Sequence, residues 1–177
     1  MQQRYGAAPK ESGAWPGRWS PTARTVLDQA AVEARALGHG HVGTEHALLA
    51  LVSVDHGLAA EILADLGVTR EGMLATSCMQ AGRNAHTSLG GLSIMPRYRQ
   101  ALEHSRRIAD ALEAATADTE HLLAGIVAVR DSMAVEILRR LKVRPDAVRT
   151  ALSERLDVAP QRLGAPRRRR RRLLAGI

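Results

Sequence analysis

A chain of 177 residues that is 45% apolar, 2% aromatic and free of Phe has enough length for one or two small cores, and those cores must be aliphatic. Six units of its +7 net charge come from one run, Arg167–Arg172, so the remainder is close to neutral. The single cysteine, Cys78, excludes an internal disulfide framework and fits a reducing cytoplasm, and no apolar stretch approaches the roughly 20 residues that a membrane helix needs.

In chain order, residues 1–18 lack the apolar core of a secretory signal and are expected to form a flexible lead. Trp15 and Trp19 follow, as covers for a core edge or as anchors for a partner. Pro21 suits the opening turn of a helix in which Val26, Leu27, Ala30, Ala34 and Leu37 recur at helical spacing before Gly38 ends it. Thr44 is expected to cap a second helix, Glu45–Val54, with Leu48, Leu49, Leu51 and Val52 facing inward. Gly57 precedes a short third helix, with Ile62, Leu63 and Leu66 inward, that Gly67 ends. A fourth runs from about Thr69 to Met79. Residues 81–94, rich in Gly, Ser, Asn and His, read as a linker. Four more helices are expected over about Pro96–Glu113, Glu120–Val129, Ser132–Leu141 and Pro145–Leu156, burying Leu102, Leu112, Leu123, Ile126, Ile137, Leu138 and Leu141. Residues 157–177 read as a disordered Arg-rich tail.

The second set of helices copies the first. A shift of 75 positions aligns Pro21–Gln80 with Pro96–Arg155 without a gap, and 18 of the 60 pairs are identical. Chance would give roughly one pair in ten for such a composition. Thr44-Glu45-His46 matches Thr119-Glu120-His121, and Glu61-Ile62-Leu63 matches Glu136-Ile137-Leu138. The expected architecture is all-α: two tandem four-helix repeats, residues 19–80 and 95–156, packed with pseudo-twofold symmetry.

The run LGHGHVGTEHALLALV at 37–52, followed by GLAAEILADLGV at 57–68, resembles the Clp N-terminal repeat. That repeat forms the amino-terminal domain of ClpA- and ClpC-type AAA+ unfoldases. The resemblance covers roughly residues 19–156, the second copy keeping Thr119-Glu120-His121-Leu122-Leu123 and Ala134-Val135-Glu136-Ile137-Leu138. No G-x-x-x-x-G-K-[ST] phosphate loop occurs, so the resemblance is to a free-standing N-domain. It implies a non-enzymatic, cytoplasmic, monomeric module without a cofactor. Its implied partners are protein clients, adaptors or a Clp unfoldase, with the module acting as adaptor, regulator or decoy.

Two readings attach to the Thr-Glu-His motif. In the structural one, Thr44 and Thr119 cap their helices, the glutamates complement the helix dipole, and His46 and His121 pack locally. In the other, implied by the resemblance, Glu45 and Glu120 bind phosphoarginine, with Ser20 supplying the hydroxyl of the family's threonine beside Glu45 and Met95 lacking it in the second copy. His39, His41, His46 and Glu45 have metal-like spacing, but Ala114 and Thr116 replace His39 and His41 in the second copy, so no metal is expected. The run Arg167, Arg168, Arg169, Arg170, Arg171 and Arg172 gives an alternative function: contact with nucleic acid or another anionic surface. A solvated tail, or a tag ending in the apolar Leu173–Ile177 tip, are the other readings of that segment.

Overall fold

A computed structural model describes residues 17–54, 56–76 and 92–164. Trp15, Cys78, Met79, the linker over 81–91 and the Arg167–Arg172 run lie outside the described residues. The first copy comprises α1 (Pro21–Ala36), β1 (His41–Val42), α2 (Thr44–Val54), α3 (Leu58–Asp65) and α4 (Arg70–Ala75). The second comprises β2 (Ser93–Ile94), α5 (Pro96–Ala111), α6 (Thr119–Ala128), α7 (Met133–Arg140) and α8 (Pro145–Arg155), and a 3-10 turn follows at Pro160–Leu163. Among the described residues no single helix is long and apolar enough to cross a membrane.

The punctuation read from the sequence explains most helix ends. Ser20 caps α1 by accepting from Ala23 N at 3.0 Å, with Pro21 in the first turn. Thr69 caps α4 and Ser132 caps α7 in the same way. Gly38 and Gly67 end their helices at φ +72° and +73°, the left-handed conformation glycine adopts without a Cβ clash.

Core formation follows from α2 and α6. Both are apolar on nearly all sides, and Thr44–Leu51 and Leu122–Val127 are buried throughout. Helix α1 covers α2 within its copy and α5 covers α6, while α2 also packs on α7 and α3 on α6. One continuous core results, shared by both copies. Of the expected core residues, Leu37, Val52, Leu66, Leu112 and Leu141 pack half-buried at its edge; the others are buried. Trp19 is buried.

The two copies are joined by an exchange. Strand β2, inside the segment expected to be linker, pairs in parallel with β1 in register His41↔Ser93 and Val42↔Ile94. A parallel bridge Trp19↔Ala117 is the same pairing carried across by the 75-residue shift. Each copy therefore sends the segment ahead of its first helix onto the other copy. The expected boundaries move accordingly. Residues 93–94 are strand because Met95 N donates to Val42 O at 3.0 Å, continuing the ladder. Leu163, expected in the tail, is fully buried, because the 3-10 turn packs on α5, α6 and α8.

Candidate functional site: two related helix N-termini

Each exchange brings a lead-in strand of one copy against the Thr-Glu-His motif of the other. The threonines do not cap their own helices. Thr44 lies within the first turn of α2, and its Oγ1 accepts from Ala134 N of α7, in the other copy, at 3.2 Å. Thr119 Oγ1 accepts from Ala59 N of α3 at 3.4 Å. Asp118 is the cap of α6, accepting from Thr119 N at 2.7 Å. Sequence reasoning missed Asp118 because its counterpart is Gly43, which has no side chain. His46 and His121 make contacts within their own helix ends, whereas the threonines, expected as caps, do not cap their own helices. The hydroxyls are used between copies because α3 begins at Gly57, which provides no side-chain cap, with Thr119 beside it.

At the α2 site, Gly43 N donates to His46 Nδ1 at 2.9 Å. That leaves the proton on Nε2, which sits 2.7 Å from His39 Nδ1. Burial pushes His46 down to about 3, and nearby His39 and His41 add to the shift, so the ring stays neutral. Burial and His41 also lower His39, against Glu45. The Glu45 carboxylate folds back over the helix N-terminus. A Cβ on Gly43 would meet its oxygens at 2.4 Å, so a side chain there would push the Glu45 carboxylate aside. Its Oε1 lies 3.5 Å from His46 Nδ1 and 3.8 Å from His41 Nε2.

His39, His41 and Glu45 each bring one donor atom to within 4.8 Å of the others. A tetrahedral zinc ion would need those atoms roughly 3.3 Å apart. The His39–His46 hydrogen bond also occupies His39 Nδ1, so that nitrogen is already engaged by a neighbouring imidazole.

At the α6 site, Ser20 Oγ donates to Asp118 Oδ1 at 2.7 Å, and Ser20 N donates to Ala117 O at 2.9 Å. Ser20 therefore stands beside Asp118, at the motif of the second copy, and not beside Glu45 as expected. Met95 takes the place near the α2 motif, through the Val42 bond. The reason is the strand exchange: the residue ahead of α1 belongs spatially to the second copy. His121 Nδ1 is 3.1 Å from both Asp118 N and Glu120 Oε1, and the two contacts compete for that nitrogen. Burial pushes Glu120 up, but hydrogen bonds from His121, its own backbone amide and Thr119, with the charge of His121, hold it below the usual carboxylate range. Asp118 thus faces the end of the α1 lead-in, with an ionised Glu120 two positions along the chain.

A third polar group escaped sequence reasoning. Glu33 of α1 is buried and takes a two-pronged bond from Arg70 of α4, at 2.7 and 2.8 Å. Its matching position in the second copy is Ile108, so the duplication gave no signal for it.

These features define a class: a duplicated all-α domain whose copies exchange lead-in strands and helix caps, leaving a carboxylate at each of two related helix N-termini. The chain matches the family described as Clp repeat (R) N-terminal domain over residues 18–88 and 93–170, and it belongs to that family. It is 35% identical over 127 residues to "Negative regulator of genetic competence ClpC/MecB" of Bacillus subtilis, covering 72% of this chain and 16% of that protein. It is 30% identical over 141 residues to "Probable ATP-dependent Clp protease ATP-binding subunit" of Chlamydia pneumoniae, covering 79% of this chain and 17% of that protein. It thus spans about a sixth of the length of these relatives. The fold is similar to the N-terminal domain of the chaperone ClpD from Arabidopsis thaliana, with TM-score 0.66 and 20% identity over 83% of this chain and 99% of that one. It is also similar to the ClpV N-domain solved in complex with VipB peptide, with TM-score 0.60 and 15% identity over 81% of this chain and 90% of that one.

Proposed function

We propose that this chain is a protein-binding module of a Clp proteolysis system, taking up clients or adaptors in place of, or on behalf of, a Clp unfoldase. The observation that carries this reading is the α6 site. Asp118 and Glu120 put two carboxylates at the junction of the copies, where a client's arginine or lysine finds opposite charge in partly dry surroundings. A ClpV N-domain takes a VipB peptide on the same fold, which supports binding as the use of the surface.

The geometry favours an unmodified cationic side chain over phosphoarginine. Ser20 is already engaged as a donor to Asp118, and the Asp118 carboxylate repels a phosphate. The α2 site has Met95 in place of a hydroxyl. Calorimetry with an arginine peptide and its phosphoarginine form tests this: the unmodified peptide is expected to bind more tightly and to lose its binding in Glu120→Gln. Tighter binding of the phosphorylated form would reverse the assignment. Degradation of a client by a reconstituted Clp unfoldase and peptidase tests the wider reading. An adaptor raises the rate and a decoy lowers it, while no effect at any ratio removes the proposal.

A further inference from the structure

The two copies have diverged in charge. Residues 21–80 carry three cationic and seven anionic side chains, and residues 96–155 carry eleven and nine. Much of the difference gathers at one place. A cavity of about 370 Å³ lies where the end of α6 meets α7 and the start of α8. Arg130, Arg139, Lys142, Arg144 and Arg149 line it, with Asp146 as the one carboxylate. At the five matching positions the first copy has Asp55, Ala64, Gly67, Thr69 and Leu74. The fold of the repeat therefore does not require cations there.

Among the described residues, Arg149 pairs with Asp146, and no ion pair joins the other four. Arg149 Nε is buried without a hydrogen-bond partner. Arg144 stands at the cap position of the 11-residue helix α8 and makes no side-chain cap. Pro145, which has no N–H, and Asp146 of that first turn also line the cavity. Five like charges around a concavity raise the local potential and draw in a multivalent anion. Arginine forks suit phosphate oxygens in particular. No aromatic residue lines the cavity, so it offers no platform for stacking a base.

We propose that this cavity, whose cationic lining has no counterpart in the first copy, is a binding site for a di- or triphosphate group, whether free or carried by a nucleotide. The site is separate in residues from the Thr-Glu-His sites and does not depend on the client-binding reading.

Calorimetry and amide NMR on the full chain with inorganic tripolyphosphate provide the test. Saturable one-to-one binding is expected, with shifts in α7 and the start of α8 and weaker affinity at higher salt. The double variant R139A/R144T, which installs the residues of the first copy, is expected to weaken binding at least tenfold while keeping the wild-type Tm. R130D, a second graft from the first copy, keeps the test open if that variant folds poorly. Substituting Arg167–Arg172 with Ser is expected to leave the affinity within about twofold. Loss of binding in that tail variant alone, or no saturable binding, would overturn the proposal. ATP is expected to bind no more tightly than tripolyphosphate. A tenfold preference for ATP would place recognition on the nucleoside and overturn a phosphate-directed site.

Discussion

Thr44→Val keeps the shape of the side chain and removes its hydroxyl. That hydroxyl accepts from Ala134 N, and Ala134 is fully buried in the other copy. Valine leaves a buried donor without an acceptor, a loss of about 1–3 kcal/mol. The neighbouring cap, Ser132 on Val135 N, is untouched, so the effect belongs at about 1–2 kcal/mol. In a domain of this size that lowers Tm by roughly 2–8 °C. Thr119→Val is expected to cost at least as much, because α3 has no side-chain cap of its own and depends on Thr119. Thr→Ser at either position restores the acceptor and serves as the control. Equilibrium urea unfolding followed by circular dichroism gives the free energies, and the two losses are expected to add. Valine variants within 0.3 kcal/mol of the parent at unchanged m-value would show that the crossed caps contribute nothing.

Gly125→Ala gains up to about 1 kcal/mol of helix propensity, but its Cβ would lie 2.1 Å from Ser105 Oγ and 2.4 Å from Ala101 O, so overpacking of α5 on α6 wins. Net destabilisation of about 1–3 kcal/mol is expected in denaturant titration, and a variant as stable as the parent would contradict the close approach. Arg70→Ala strips the buried Glu33 carboxylate of its partner; discounted for the exposed arginine, the loss is about 1–3 kcal/mol near neutral pH and shrinks in acid as Glu33 protonates, which unfolding at two pH values would show. His46 titrates near 3 folded against 6.5 unfolded, so its contribution to stability is complete above about pH 6.5 and declines as pH falls towards 3. His46→Asn, which keeps an acceptor for Gly43 N, is expected to flatten the slope of unfolding free energy between pH 6.5 and 4.5, and an unchanged slope would count against a buried neutral ring.

The helices were legible because their signals are local. Aliphatic periodicity, Pro at first turns and Gly at helix ends all act within one turn of chain, and the duplication let each copy check the other. Contacts between the copies were not legible. Nothing within ten residues of Ser20 indicates that its neighbour is Asp118, 98 positions away. The shift of 75 says which residues are alike, and likeness is not proximity: Ser20 resembles Met95 in position and faces the site to which Met95 has no access. Strand β2 was hidden for the same reason, since two residues next to a polar stretch carry no period of their own. Glu33 and the cationic cavity sit where the copies differ, so the residues the copies share carry no sign of them.

The exchange also decides whether one repeat could stand alone. Helix α2 is buried on all sides from Thr44 to Leu51, and part of that cover comes from α6 and α7 of the other copy. Separated, the first repeat, of about 60 residues, would expose that face, leave both β1 and the Trp19 segment unpaired, and lose the Thr119 acceptor at the start of α3. A domain of that length already buries only about 60% of its unfolded surface and is marginal with its core intact. Either repeat expressed alone is therefore expected to show no cooperative thermal transition, while the two mixed at high concentration regain one as the shared core reassembles. Cooperative unfolding of an isolated repeat, at a Tm independent of its concentration, would mean that each copy holds a core of its own and that the crossed strands and threonines join two finished domains.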